Sequence, residues 1–134
     1  MNGDDGVGIL AARKLRRKLG DRQNVLVLEG GSLPESLSSP LRCFAPRIVL
    51  LLDAADMGEP QGTIAILQKE QIAAAGFSTH AMPLNLLAGY LEQEIGCEVI
   101  LIGIQPKNIE FGAPMSADCV KAAALLSHEI HRWI

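Results

Sequence analysis

Hydrophobic positions along the chain switch between two periods, and that switching predicts an α/β domain. Four apolar runs read as strands: Asn24–Glu29 (NVLVLE), Arg47–Asp53 (RIVLLLD), Gly62–Gln68 (GTIAILQ) and Cys97–Gln105 (CEVILIGIQ). RIVLLLD and EVILIGI are apolar without alternation, as strands buried on both faces are, so helices are expected on both sides of the sheet. Three longer stretches repeat at helical spacing. The first follows Asp5 and runs to about Gly20, a natural terminator. The second starts at Pro83, a good first-turn residue, and stacks Leu84, Leu87, Ala88, Leu91 and Ile95 on one face. The third begins near Ser116 and lines up Cys119, Ala123, Leu126, Ile130 and Trp133. A shorter helical piece over Pro34–Phe44 is expected to be interrupted by Pro40.

The connections refine this outline. Residues 54–61 alone separate RIVLLLD from GTIAILQ, whereas a parallel crossover needs about a dozen residues or more. Those two strands should be antiparallel or not direct neighbours, which makes the sheet mixed, though mostly parallel. The first helix has no strand ahead of it. A chain of this architecture enters the sheet first, so the reading is expected to begin at an internal methionine or to lack an N-terminal segment.

Composition narrows the class. The 134 residues suit one domain, 1–134, able to bury roughly two-thirds of its unfolded surface. With 49% hydrophobic and 4% aromatic residues the core must be aliphatic, and a formal net charge of −3 argues against a nucleic-acid partner. The basic run Arg13, Lys14, Arg16, Arg17, Lys18 leaves Ala11, Leu15 and Leu19 on the other side, as a solvated helix face near a negative helix end would. Cys43, Cys97 and Cys119 are odd in number and widely spaced, which fits a reducing cytoplasm better than a disulfide framework. No apolar run approaches the ~18 residues of a membrane helix, and no signal peptide is readable. A soluble cytoplasmic protein without membrane insertion is expected.

Three loops carry candidate chemistry. Asp53 closes an apolar strand, where open α/β sheets bind ligands, although turn-forming aspartates also sit there. Asp4 and Asp5 precede Gly6 and a helix; one of them suffices as a cap, which leaves a carboxylate over. The Gly6-Val7-Gly8 element is too short for a phosphate loop. His80 lies in Ser78-Thr79-His80-Ala81-Met82, ahead of Pro83 and its helix, whereas His128 and His131 read as solvated helix surface. Two carboxylates and one imidazole from three loops make an oxygen and nitrogen ligand set with open positions, suited to nickel or zinc. A serine or cysteine nucleophile has less support, because no G-x-S-x-G elbow exists and no cysteine has a catalytic setting.

Taken together, Gly3-Asp4-Asp5-Gly6-Val7-Gly8, Glu29-Gly30-Gly31-Ser32, Asp53-Ala54-Ala55-Asp56-Met57-Gly58, Pro60-Gln61-Gly62, Thr79-His80-Ala81-Met82-Pro83-Leu84 and Gly103-Ile104-Gln105-Pro106 resemble the hydrogenase maturation peptidases. The segments run in that family's order across nearly the whole chain. Their D-A-x-D-M-G, H-x-M-P-L and G-I-Q-P forms look closest to the branch serving formate-hydrogenlyase-type enzymes. The resemblance implies a metal-dependent, aspartic-type endopeptidase that removes a C-terminal extension from the nickel-iron hydrogenase large-subunit precursor after nickel insertion. It places the metal-binding and catalytic positions on Asp5, Asp53 and His80. The nickel would be supplied by the precursor, and other divalent ions could occupy the same site. Family members open with a strand leading into a G-N-x-x-x-x-D-D-G-type loop, whereas this chain begins at Met1-Asn2-Gly3. That first strand is therefore expected to be missing, with poor stability or altered association as the result.

Two alternatives stand beside this reading. A receiver-like signalling domain would use Asp4, Asp5, Asp53 and Lys107, but the short connection after Asp53 and an idle His80 oppose it. An inactive paralogue or metal-binding chaperone would keep the residues without the activity.

Overall fold

The computed structural model describes residues 6–29, 34–68, 71, 84–107 and 114–134. Its elements in chain order are α1 (Val7–Leu19), α2 (Pro34–Phe44), β1 (Ile48–Ala54), β2 (Ile64–Leu67), α3 (Leu84–Ile95), β3 (Glu98–Ile104) and α4 (Ala117–Trp133). The three strands form one sheet in the order β1-β3-β2. β1 lies parallel to β3, from Ile48 beside Glu98 to Ala54 beside Ile104, and β2 runs antiparallel to β3. The short connection from β1 to β2 thus skips over β3 and reverses direction, so the two strands it joins are not neighbours.

Alternation along the strands divides the core in two. Leu50, Leu52 and Ala54 of β1, with Ile100, Ile102 and Ile104 of β3, face α1 and α4, where Val7, Ala11, Leu15, Cys119, Ala123, Leu126 and Ile130 meet them. On the opposite face, Leu51, Val99 and Leu101 pack against α3 through Leu87, Ala88 and Leu91, with Leu41 of α2 outside it. The unbroken apolar strands of the sequence are therefore covered on both sides, as expected. Leu91 is 1% exposed at the centre of the second layer. Leu91→Ala should cost about 2–5 kcal/mol by leaving a cavity. In urea unfolding the midpoint should fall while the slope stays unchanged.

Two expectations need correction. Residues 25–29 do not form a strand, because an apolar run becomes one only where a neighbour offers a hydrogen-bond ladder, and among the described residues β1 pairs with β3 alone. The run is tied instead to α1. Arg13 and Arg16 hold the Glu29 carboxylate at 2.8 and 3.0 Å, and Arg16 also donates to the Val27 carbonyl at 2.9 Å. The two guanidiniums keep the Glu29 carboxyl below its ordinary range, so part of the basic helix face is a clamp. The second correction is α2, which passes through Pro40 without ending. Proline removes one N–H from a helix, and Leu41, 8% exposed, anchors that turn in the core. The helix stops at Ala45, in the left-handed region at φ 53°.

Candidate active site

Three helices begin at one end of the sheet, and Asp53 lies there. Each helix runs back against a parallel strand, so its start meets the strand's carboxyl end. For α1 the marker is Gly8, set against Leu52 and Asp53. For α3 it is Ala88, which belongs to the core cluster of Ala55, Leu67 and Leu101, while Leu91, further along, belongs to the cluster of Cys97 at the start of β3. For α4 it is Cys119, whose thiol donates to the Gln105 carbonyl at 3.4 Å. Ser116 caps that helix by accepting from the Cys119 N–H.

Asp53 is 6% exposed, and its Oδ1 accepts the Ala54 N–H at 2.9 Å. Its partner across the parallel pair is Gly103. A Cβ there would stand 3.0–3.3 Å from side-chain atoms of Ala55, Leu67 and Met57, so this strand position is tightly packed. A carboxylate held in so dry a place costs solvation free energy, which aspartates recover through bound cations or donors. Solvent-exposed turns impose no such cost. Burial at the strand end therefore favours the ligand reading of Asp53 over the turn-forming one.

The approach of α1 is unusually close. A Cβ on Gly8 would stand 2.2 Å from the Leu52 carbonyl oxygen and 3.2 Å from Asp53 Cα. The glycine serves helix-to-strand contact, a role the sequence reading did not assign. Gly6, just before the helix, is buried as well.

The chain leaving Asp53 forms a hydrogen-bonded loop. Asp56 Oδ1 accepts from Gly58 N–H at 3.3 Å, and the Thr63 hydroxyl donates to the Pro60 carbonyl at 2.6 Å. Gln61 is bonded to Asp118 in the first turn of α4. Gly62 has φ 85°, and a Cβ added there would stand 3.0 Å from the Asp118 carbonyl oxygen. Gln105, 6% exposed at the end of β3, accepts N–H groups from Met57 and Glu59.

Of the residues singled out in the sequence, Asp53 is at this centre, while Asp4, Asp5 and His80 lie outside the described residues. Gly6 follows Asp5 directly, and α3 begins four positions after His80, so the elements adjoining both residues start at the Asp53 end of the sheet. His128 and His131 are exposed on the second half of α4, away from that end. Among the described residues no three His, Cys, Asp or Glu side chains gather as a metal group. Burial pushes the Cys97 thiol up, in keeping with an inert core cysteine. Asp56 and Gln105 were overlooked as contributors. A polar glutamine directly after an unbroken apolar strand was the signal, the same one that marked Asp53.

A family model described as hydrogenase maturation protease matches residues 9–133. The chain belongs to the hydrogenase maturation protease family. This family member is 38% identical to the hydrogenase 3 maturation protease of Escherichia coli K12 over 134 residues, covering 99% of this chain and 84% of that one. It is 34% identical to a putative hydrogenase maturation protease of Methanocaldococcus jannaschii over 124 residues, 88% of this chain and 73% of that one. Among solved structures, a NiFe hydrogenase maturation protease from Thermococcus kodakarensis superposes with a TM-score of 0.84 at 30% identity, over 98% of this chain and 83% of that one. The maturation protease is thus a peptide-bond hydrolase by family. The receiver-like alternative falls away: a hydrogen-bonded loop, not a helix, follows Asp53. Among the described residues no helix is long and apolar enough to cross a membrane.

Proposed function

We propose that the protein is the endopeptidase that removes a C-terminal extension from a nickel-loaded NiFe-hydrogenase large-subunit precursor, in the cytoplasm. In this reading Asp5, Asp53 and His80 face the precursor's nickel, and no resident metal is required. The observation that carries it is the position of Asp53: a buried carboxylate at the strand end, where α1 and α3 both begin. Those helices directly follow the segments that contain Asp5 and His80. The relatives' names supply hydrogenase and protease, and the nickel is inferred from the oxygen and nitrogen character of the three side chains.

The chemistry divides between protein and substrate. A divalent ion in such a site polarises a carbonyl or activates water. The protein's part is orientation. The Ala54 N–H fixes one oxygen of Asp53, and the close packing of α1 on β1 restricts water around it. A carboxylate so placed can accept a bond from water or from a cation, but cannot donate one while ionised.

Incubation with nickel-loaded and nickel-free precursor, followed by mass spectrometry of the precursor, tests the proposal. Loss of a C-terminal peptide from the nickel form alone is expected. An unchanged mass in both samples would favour the inactive paralogue, and equal trimming of both would remove nickel from recognition. His80→Ala should abolish trimming; cleavage at the wild-type rate would take His80 out of the site.

A further inference from the structure

Sheet pairing alone does not hold the connection that leaves Asp53. The Ala55 N–H donates to the Ile104 carbonyl at 3.0 Å, extending the β1–β3 ladder by one step. Beyond it, the Met57 and Glu59 N–H groups both donate to Oε1 of Gln105, at 2.6 and 3.3 Å. Nε2 of the same amide donates to Asp56 Oδ1 and to the Pro106 carbonyl, each at 3.2 Å. Its polarity follows from its neighbours. Backbone N–H groups can only donate, and carboxylate and carbonyl oxygens only accept, so turning the amide over would set donor against donor and acceptor against acceptor. All four hydrogen-bonding capacities of the side chain are used.

The main chain of Gln105 is anchored too. Its N–H donates to the Thr63 carbonyl and its carbonyl accepts from Gly62, both at 2.8 Å. Gln105 is therefore a buried peg around which both ends of the 55–63 connection close. A buried polar group satisfied so completely specifies one conformation of what it holds, since partial satisfaction would leave desolvated groups unpaired.

We propose that Gln105 is a positioning residue for peptide hydrolysis: its side-chain amide sets the turn after Asp53 and pins the Asp56 carboxylate within it. This rests on the reading of Asp53 as a site residue. Gln105 acts through the turn and makes no claim on the scissile bond. Asp56, exposed and held through Oδ1 by Gly58 and Gln105, is the carboxylate whose placement depends on the peg.

The amide's polarity supplies the test. Gln105→Glu keeps the size of the side chain and one acceptor for Met57 and Glu59. It also sets a carboxylate oxygen against Asp56 Oδ1 and the Pro106 carbonyl, where the native chain has a donor. Asp56→Asn in the same chain removes the like charge and can offer an N–H to the new carboxylate, giving up the weaker bond that Asp56 Oδ1 accepts from the Gly58 N–H. Cleavage of nickel-loaded precursor should be measured at saturating and limiting substrate for wild type, both single variants and the double variant, with amide hydrogen exchange on each. Gln105→Glu is expected to lower kcat at least about tenfold with little change in KM. The double variant should return to within a few-fold of Asp56→Asn alone. A double variant more than about tenfold slower than Asp56→Asn alone, or a Gln105→Glu enzyme that cleaves like wild type, overturns the proposal.

Amide exchange separates this inference from the peptidase reading. In Gln105→Leu, the Met57 and Glu59 amides should lose protection while those of β3 keep it, whether or not the wild type cleaves any precursor. Retained protection at both amides would remove Gln105 as the peg. Wild-type inactivity with the expected exchange pattern would instead sink the assigned reaction, and with it any catalytic purpose for the turn.

Discussion

Asp53→Asn should leave a folded protein that trims the nickel-loaded precursor at least about 100-fold more slowly, the scale typical of removing a positioned acid or base. The substitution is isosteric, and its carbonyl oxygen can still accept the Ala54 N–H that Asp53 Oδ1 accepts at 2.9 Å. What changes is the other end of the side chain: an amide NH₂ replaces a carboxylate oxygen, a donor replaces an acceptor, and one negative charge is lost. A cation or a water to be activated loses its partner, while the packing of β1 does not change. Because the replacement keeps the size of the side chain and the bond from the Ala54 N–H, the variant should stay folded and unfold at close to the wild-type urea concentration. Mass spectrometry of the precursor and urea unfolding of the enzyme check the two halves separately. Cleavage within threefold of wild type would remove Asp53 from the site.

Gly8→Ala should be among the most damaging single substitutions to stability. On helix propensity alone it ought to help, since alanine is favoured over glycine by about 1 kcal/mol inside a helix. The added Cβ would however lie 2.2 Å from the Leu52 carbonyl oxygen and 2.8 Å from its carbon. Both are main-chain atoms of β1, with no flexible side chain to give way. The start of α1 would have to lift off the strand, and a net loss on the order of 3 kcal/mol is expected from such overpacking. Gly89 is the control: it lies in α3 with nothing within 4 Å of its would-be Cβ, so Gly89→Ala should stabilise by about 1 kcal/mol. Urea midpoints for the two variants should move in opposite directions. If Gly8→Ala is stabilising, the close helix-to-strand contact is not as described.

Much of the fold was legible because its causes are local. Unbroken apolar runs marked β1 and β3, helical spacing placed α1, α3 and α4, and the short connection after Asp53 excluded a direct parallel pairing of β1 with β2. The failures were of another kind. NVLVLE has the composition of a strand, yet ladder partners come from other parts of the chain, and Arg13 and Arg16 hold that segment to α1 instead. Pro40 reads as a breaker, but packing around Leu41 keeps α2 continuous.

At the site the same division holds. By itself, the sequence determined an α/β chain with an acid at the end of a buried strand, and its motifs pointed to the maturation protease family. Tertiary structure decided that this acid is buried, that α1 reaches it through the bare backbone of Gly8, and that Gln105 gathers the turn beyond it. Those facts depend on distances between residues roughly fifty positions apart in the chain. Period and composition report on one element at a time, whereas burial and hydrogen-bond satisfaction are set where elements meet.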